Sequence, residues 1–91
     1  MRIALATTDD PVAAVRTSVG ESLVLVFKPG RDPLAMAQAL AAIGPLAIEV
    51  APARRVNAVV VTHGAATEDI DAAVAFLDQA LSTTGQIITV A

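Results

Sequence analysis

The chain has 91 residues, of which 55% are hydrophobic, and a formal net charge of −3. That length suits one domain with its own core, and the apolar content excludes a disordered chain. It contains no cysteine, which excludes disulfides, thiolate zinc sites and cysteine nucleophiles and suits a reducing cytoplasm.

Arg2 to Thr7 read as a strand. Asp10-Pro11 then resembles a helix start, with a capping carboxylate before proline at the first helical position. A short helix or turn follows over Val12 to Val19, closed by Gly20. Ser22 to Lys28 form an apolar, β-branched and aromatic run that ends at Pro29-Gly30, a chain-reversal signal. Asp32-Pro33 repeats the capping pattern, and a helix runs to about Ile43, stopped by Gly44-Pro45. Met36, Ala37, Leu40 and Ile43 share one face. Ala35, Gln38, Ala39 and Ala42 make an opposite face without charge. Leu46 to Ala51 read as a strand ended by Pro52, and Asn57 to Thr62 as the next, joined to it in a hairpin through Arg54-Arg55. Thr67 caps a second helix, with Glu68, Asp69 and Asp71 in its first turn, where they complement the helix dipole. Ile70, Val74, Leu77 and Leu81 form its inner stripe. Glu68, Asp71, Asp78 and Gln79 face outward, and Phe76 stands at the margin. Thr83-Thr84-Gly85 ends the helix before a last strand, Gln86 to Val90.

From residue 22 the order is β-α-β-β-α-β. It predicts an α+β, ferredoxin-like βαββαβ sandwich, with a four-stranded antiparallel sheet and two helices on one face. The domain spans residues 1–91: residues 1–20 are an N-terminal extension, an extra strand with a short helix, and residues 21–91 are the core.

The candidate chemistry is sparse. His63 is the only histidine, and without a second histidine or any cysteine it makes no metal site. Gly64-Ala65-Ala66-Thr67 leads into a helix but lacks the second glycine and the Lys-Ser/Thr ending of a phosphate loop. Phe27-Lys28-Pro29-Gly30-Arg31-Asp32 also leads into a helix, with two cations alongside that suit a carboxylate or phosphate. Glu68, Asp69 and Asp71 are explained by the helix start, Asp9-Asp10 lie in a turn, and Ser18, Ser22 and Ser82 lack a nucleophile elbow. Asn57 alone does not make an acylphosphatase. The expectation is a protein that is not an enzyme and carries no cofactor and no metal.

The basic residues Arg2, Arg16, Lys28, Arg31, Arg54 and Arg55 are scattered, whereas nucleic-acid binders concentrate positive charge to neutralise phosphates. Uninterrupted apolar runs fall short of the roughly 18 residues that span a bilayer, and the start of the chain does not read as a signal peptide. A cytoplasmic domain that binds neither nucleic acid nor membrane is expected.

The strand Leu25-Val26-Phe27-Lys28-Pro29, followed by Asp32-Pro33-Leu34, Leu40, Ile43 and Gly44, resembles the regulator-binding (P2-type) region of CheA-family chemotaxis histidine kinases. Val60-Val61-Thr62, Ala66-Thr67-Glu68-Asp69-Ile70 and Val74 with Phe76 are similar to that region's second half. The resemblance covers residues 23 to 90. It implies a docking module for a response-regulator receiver domain or another protein, without active site or cofactor, and places the partner on Gln38, Asp71, Phe76 and Asp78. Lys28-Pro29-Gly30 before an apolar helix and Gly44 also resembles the amino-acid-binding ACT domain. That alternative implies a dimer that senses a small molecule at Pro29, Gly30 and Arg31. A self-associating homodimer is a third reading, from the uncharged helix face and the apolar last strand.

Overall fold

The computed structural model describes residues 1–91. Its strands are β1 (Arg2–Leu5), β2 (Ser22–Phe27), β3 (Arg55–Val61) and β4 (Ile87–Val90), and its helices are α1 (Pro11–Thr17), α2 (Pro33–Ala41), α3 (Ile43–Val50) and α4 (Thr67–Gln79). The strands form one sheet in the order β1-β2-β3-β4. Every neighbouring pair is parallel, with Arg2 opposite Val24, Ser22 opposite Arg55 and Ala58 opposite Ile87. This is an α/β, Rossmann-like arrangement and not the antiparallel ferredoxin-like sandwich that the sequence suggested.

One segment causes the error. Leu46 to Ala51 is not a strand: Leu46–Val50 lies within α3. Gly44 has no positive φ, so it does not close a helix. Pro45 is the third residue of α3, where its missing N–H would have had no partner within the helix. Ile43, Leu46 and Ala47 are buried and Val50 partly so, at the i, i+3, i+4, i+7 spacing of a helix. Without that strand there is no hairpin, and each remaining connection carries a helix, as parallel pairing requires. Residues 1–20, read as an extension, supply β1 and α1 to the same sheet.

The sheet is covered on both faces. Leu23, Leu25 and Phe27 of β2 with Val56 and Ala58 of β3 pack against Val15 of α1, Ala39 of α2 and Ile43, Leu46 and Ala47 of α3. Val24, Val26 and Val59 pack the other way, against Val74 and Leu77 of α4 and Val90 of β4. Burial on both faces explains the uninterrupted apolar runs of the two central strands. Leu81, expected in the inner stripe of α4, lies beyond the helix and is 81% exposed; Phe76 is 62% exposed. The uncharged face of α2 is not an outer face, since Ala39 is buried there.

Every step across the sheet goes the same way, yet α4 lies on the face opposite α1, α2 and α3. The β3-α4-β4 crossover therefore has the opposite hand to the other two, so the connections do not all obey the right-handed rule. Pro33–Val50, interrupted only at Ala42, is an 18-residue helical stretch apolar enough by length and composition to cross a membrane. Gln38 and Glu49 lie within it, so it is not an uninterrupted apolar run. In this fold its Ala39, Ile43, Leu46 and Ala47 pack on the sheet.

Candidate functional site

Parallel strands carry all their outgoing loops to one end. Ala6 to Asp10 follow β1, Lys28 to Asp32 follow β2, and Thr62 to Ala66 follow β3. Open α/β sheets bind ligands at this carboxyl end.

The first two loops, the start of α1 and α2 line an open cavity of about 270 Å³, formed by Thr8, Asp9, Asp10, Pro11, Val12, Arg31, Ala35, Gln38, Ala39 and Ala42. A second cavity, about 360 Å³, runs between β1 and α1 and shares Asp9 and Asp10. The three aspartates of these loops are held by backbone. Asp9 Oδ2 accepts from the Ala6 N–H (2.8 Å), Asp10 Oδ1 from the Val12 N–H (3.0 Å) and Asp32 Oδ2 from the Ala35 N–H (3.1 Å). Asp10-Pro11 and Asp32-Pro33 thus work as the capping pairs expected of them. Gly30 has φ +104°, a conformation that suits glycine, and lets the second loop turn beside Thr7. Arg31 follows immediately, with its guanidinium carbon 5.3 Å from the ring centre of the fully buried Phe27.

Adjacent strands β2 and β3 send their chains to opposite faces, so their loops part between Lys28 and His63. Both side chains are exposed, and neither lines either cavity. The cavities lie one strand away from that parting.

Gln38 of α2 lines the cavity on one side of the sheet. Asp71, Phe76 and Asp78 belong to α4 on the other side, so these four residues do not make one docking patch. Asp71 pairs with Arg2 at 2.6 Å and Asp78 with the N-terminal ammonium at 3.1 Å. The Ser22 hydroxyl and that ammonium hold the Asp78 carboxyl below the usual carboxylate range. Of Pro29, Gly30 and Arg31, Arg31 is the one that lines the cavity. Sequence reasoning left Asp9 and Asp10 in a turn and did not select Thr8. The repeated Asp-Pro after two strands was the available signal, because it puts both loops at one end of a parallel sheet.

Fold and carboxyl-end cavity together define a Rossmann-like α/β domain. The chain belongs to the short chain dehydrogenase-like family, whose family model, described as short chain dehydrogenase-like protein, matches residues 4–90. No curated protein and no solved structure matches the chain. The family and the parallel sheet overturn both the CheA-type docking resemblance, with its chemotaxis and receiver-domain implications, and the ACT-like alternative.

A dehydrogenase-like sheet implies a dinucleotide, held by a G-x-G-x-x-G turn and the N-terminus of the following helix. The residues here do not fit that group. The five glycines are 20, 30, 44, 64 and 85, so no two share such a turn. The first turns of α1 and α2 open with proline and are capped by carboxylates. The start of α4 has no side-chain cap, but Glu68 and Asp69 stand in its first turn. A pyrophosphate would meet negative charge at each helix start.

Proposed function

We propose that the chain is a non-catalytic, cytoplasmic member of its family that binds a small polar ligand at the carboxyl end of the sheet. The supporting observation is the cavity between the first two strand-to-helix loops, in a sheet whose loops have no phosphate cradle. Neither Lys28 nor His63, the chain's single lysine and histidine, reaches that cavity, which leaves Asp9 and Asp10 as its only groups for proton transfer, each with one oxygen already tied to a backbone N–H. Titration with NAD(H) and NADP(H), followed by fluorescence, is expected to show no binding, and a panel of carbonyl and alcohol substrates no turnover. Stoichiometric dinucleotide binding with hydride transfer would overturn the reading.

A second reading, a homodimer, has its own support at β4. The Ala58 N–H donates to Gln86 O and the Thr62 N–H to Val90 O. Gln86, Ile88 and Val90 therefore turn their backbone groups toward β3, and Ile87 and Thr89 turn theirs to the open edge. Residues 86–91 carry no charged side chain to discourage strand addition. Antiparallel pairing about a two-fold axis at Ile88 would match Ile87 with the partner's Thr89. Sedimentation of the chain and of Thr89→Pro, which deletes one of those donors, tests this: a dimer that becomes a monomer supports it, and a monomeric parent removes it.

A further inference from the structure

We infer that Arg31 is the anchor of a small hydroxy-carboxylate in the carboxyl-end cavity, a step that rests on the ligand-binding reading above. Four of the chain's five arginines are engaged by the fold itself. Arg54 donates to Gly20 O, Val15 O and Ser18 O. Arg55 donates to Leu77 O, Ala80 O, Thr83 O and Asp78 O. Arg2 and Arg16 hold Asp71 and Glu49. Arg31 differs from all four. Its single protein acceptor is Ala6 O, 2.9 Å from Nη2; its Nε is buried without a partner, and it forms no ion pair although Asp9, Asp10 and Asp32 occupy the adjoining loops.

The same guanidinium is pre-organised. It lies over Phe27, which is anchored in the core, and the bond to Ala6 O ties it to the opposite loop. An arginine held on an aromatic face, whose terminal nitrogens keep N–H groups beyond the one given to Ala6 O, can meet a carboxylate with its charge and planar donors. The cavity, about 270 Å³ and open to solvent, has room for a ligand of few heavy atoms.

Asp9 and Asp10 line the same space and decide between ligand classes. Each has one oxygen tied to a backbone N–H, which leaves the other to accept. Two fixed carboxylates repel a dianion such as phosphate more than a monoanion. They accept hydrogen bonds and offer none, so a hydroxyl beside the ligand's carboxylate gains partners that an oxo group lacks. Gln38 and Thr8 complete the polar lining.

The test titrates the full chain, followed by backbone amide resonances, with sodium glycerate as the hydroxy acid. Sodium pyruvate, inorganic phosphate and glycerol serve as the oxo acid, the dianion and the uncharged polyol. Glycerate is expected to bind most tightly of the four and to shift the amides of Thr8, Arg31, Ala35 and Gln38. Arg31→Met should weaken glycerate about 10- to 100-fold, the range of a lost charge-assisted hydrogen bond. Arg31→Lys, which keeps the charge without the planar fork, should restore part of that loss, and native amide dispersion of both variants shows that they fold. Equal glycerate affinity in parent and Arg31→Met, or phosphate or pyruvate binding more tightly than glycerate, would overturn the inference and leave the cavity a ligand site. If none of the four probes shifts an amide of the cavity, the ligand-binding reading falls as well.

Discussion

The two ends of the sheet use the same residue types for different purposes. At the amino end, Arg54 stands just before β3 and Arg55 opens it, and their side chains reach helix ends on opposite faces of the sheet. Arg54 caps the carbonyls that close α1, and Arg55 caps those that close α4, where a cation meets the negative end of the helix dipole. The α4 helix has no basic residue of its own in its last turn, so β3 supplies it. At the carboxyl end, Arg31 has one protein acceptor and a cavity beside it. Among the arginines, those that the fold has already satisfied report on stability, and the one it leaves partly unsatisfied reports on binding. The difference between the ends locates the site more firmly than any motif in the chain.

The largest expected effect lies at the amino end, at Asn57. It is the only buried polar residue, fully covered on β3. Its Nδ2 donates to Thr83 O and its Oδ1 accepts from the Gln86 N–H, both at 3.0 Å. These bonds fasten the loop that brings the chain from α4 back to β4. Asn57→Ala leaves the Gln86 N–H unpartnered in a part-buried setting, at about 1–3 kcal/mol, and leaves Thr83 O with only its 3.4 Å bond from Arg55. An overall loss of about 3 kcal/mol is expected in urea unfolding, with the midpoint of thermal unfolding lowered by roughly 10–20 °C. A change under about 1 kcal/mol would show that this loop is not a structural clasp.

Arg55→Met comes next. It keeps most of the apolar stem and removes four bonds to the end of α4 and its following turn. A loss of about 2 kcal/mol is expected, at the level of one good charge-assisted contact, because water replaces part of the rest. Amide exchange should rise first in residues 77–83.

How much of this was legible in the sequence follows the same division. Most local signals acted as read: Asp10 and Asp32 cap helices, and Ser22 to Phe27 is a buried strand, but Thr67 does not cap α4; it is that helix's first residue, after Ala66. Sheet direction was lost at Leu46 to Ala51, where a short apolar run fits a strand or a buried helix equally. Treating Gly44-Pro45 as a stop settled that ambiguity the wrong way. The stripe Ile43, Leu46, Ala47, Val50 would have corrected it, and the continuous burial of both central strands argues for parallel pairing. Arg54 and Arg55 could be noticed as a pair, but their role depends on helix ends that arrive from distant parts of the chain. The cavity was not legible for the same reason, since Arg31 and Asp9 meet only once β1 and β2 are parallel neighbours. Family membership with residues 4–90 adds the dehydrogenase-like lineage, and the glycine positions show that its phosphate turn is missing.

Arg31→Met should behave unlike Arg55→Met in the absence of ligand. It removes one bond to Ala6 O and a stacking contact worth about 0.5–1 kcal/mol, and it also removes a buried Nε that has no acceptor. The two nearly offset, so a stability change within about 0.5 kcal/mol is expected in the same urea experiment. A loss of 2 kcal/mol or so would make Arg31 a structural clasp like Arg55 and erase the contrast between the ends.

The smallest effect expected is at Asp78, which belongs to the amino end but sits in solvent, its side chain 45% exposed. The Ser22 hydroxyl and the N-terminal ammonium hold its folded-state pKa below the ordinary value. A carboxylate whose pKa is depressed by folding contributes stability above its unfolded pKa of about 3.9 and loses it as pH falls through the lower folded value. Exposure limits that contribution to the scale of a surface pair, about 0.5 kcal/mol. Asp78→Asn should therefore be less stable than the parent by about that amount near neutral pH, and the gap should close as acid protonates the parent's carboxyl. Urea unfolding of both proteins across the acid range, at low salt, measures it. If the gap persists unchanged after Asp78 is protonated, the pair's charge is not its source.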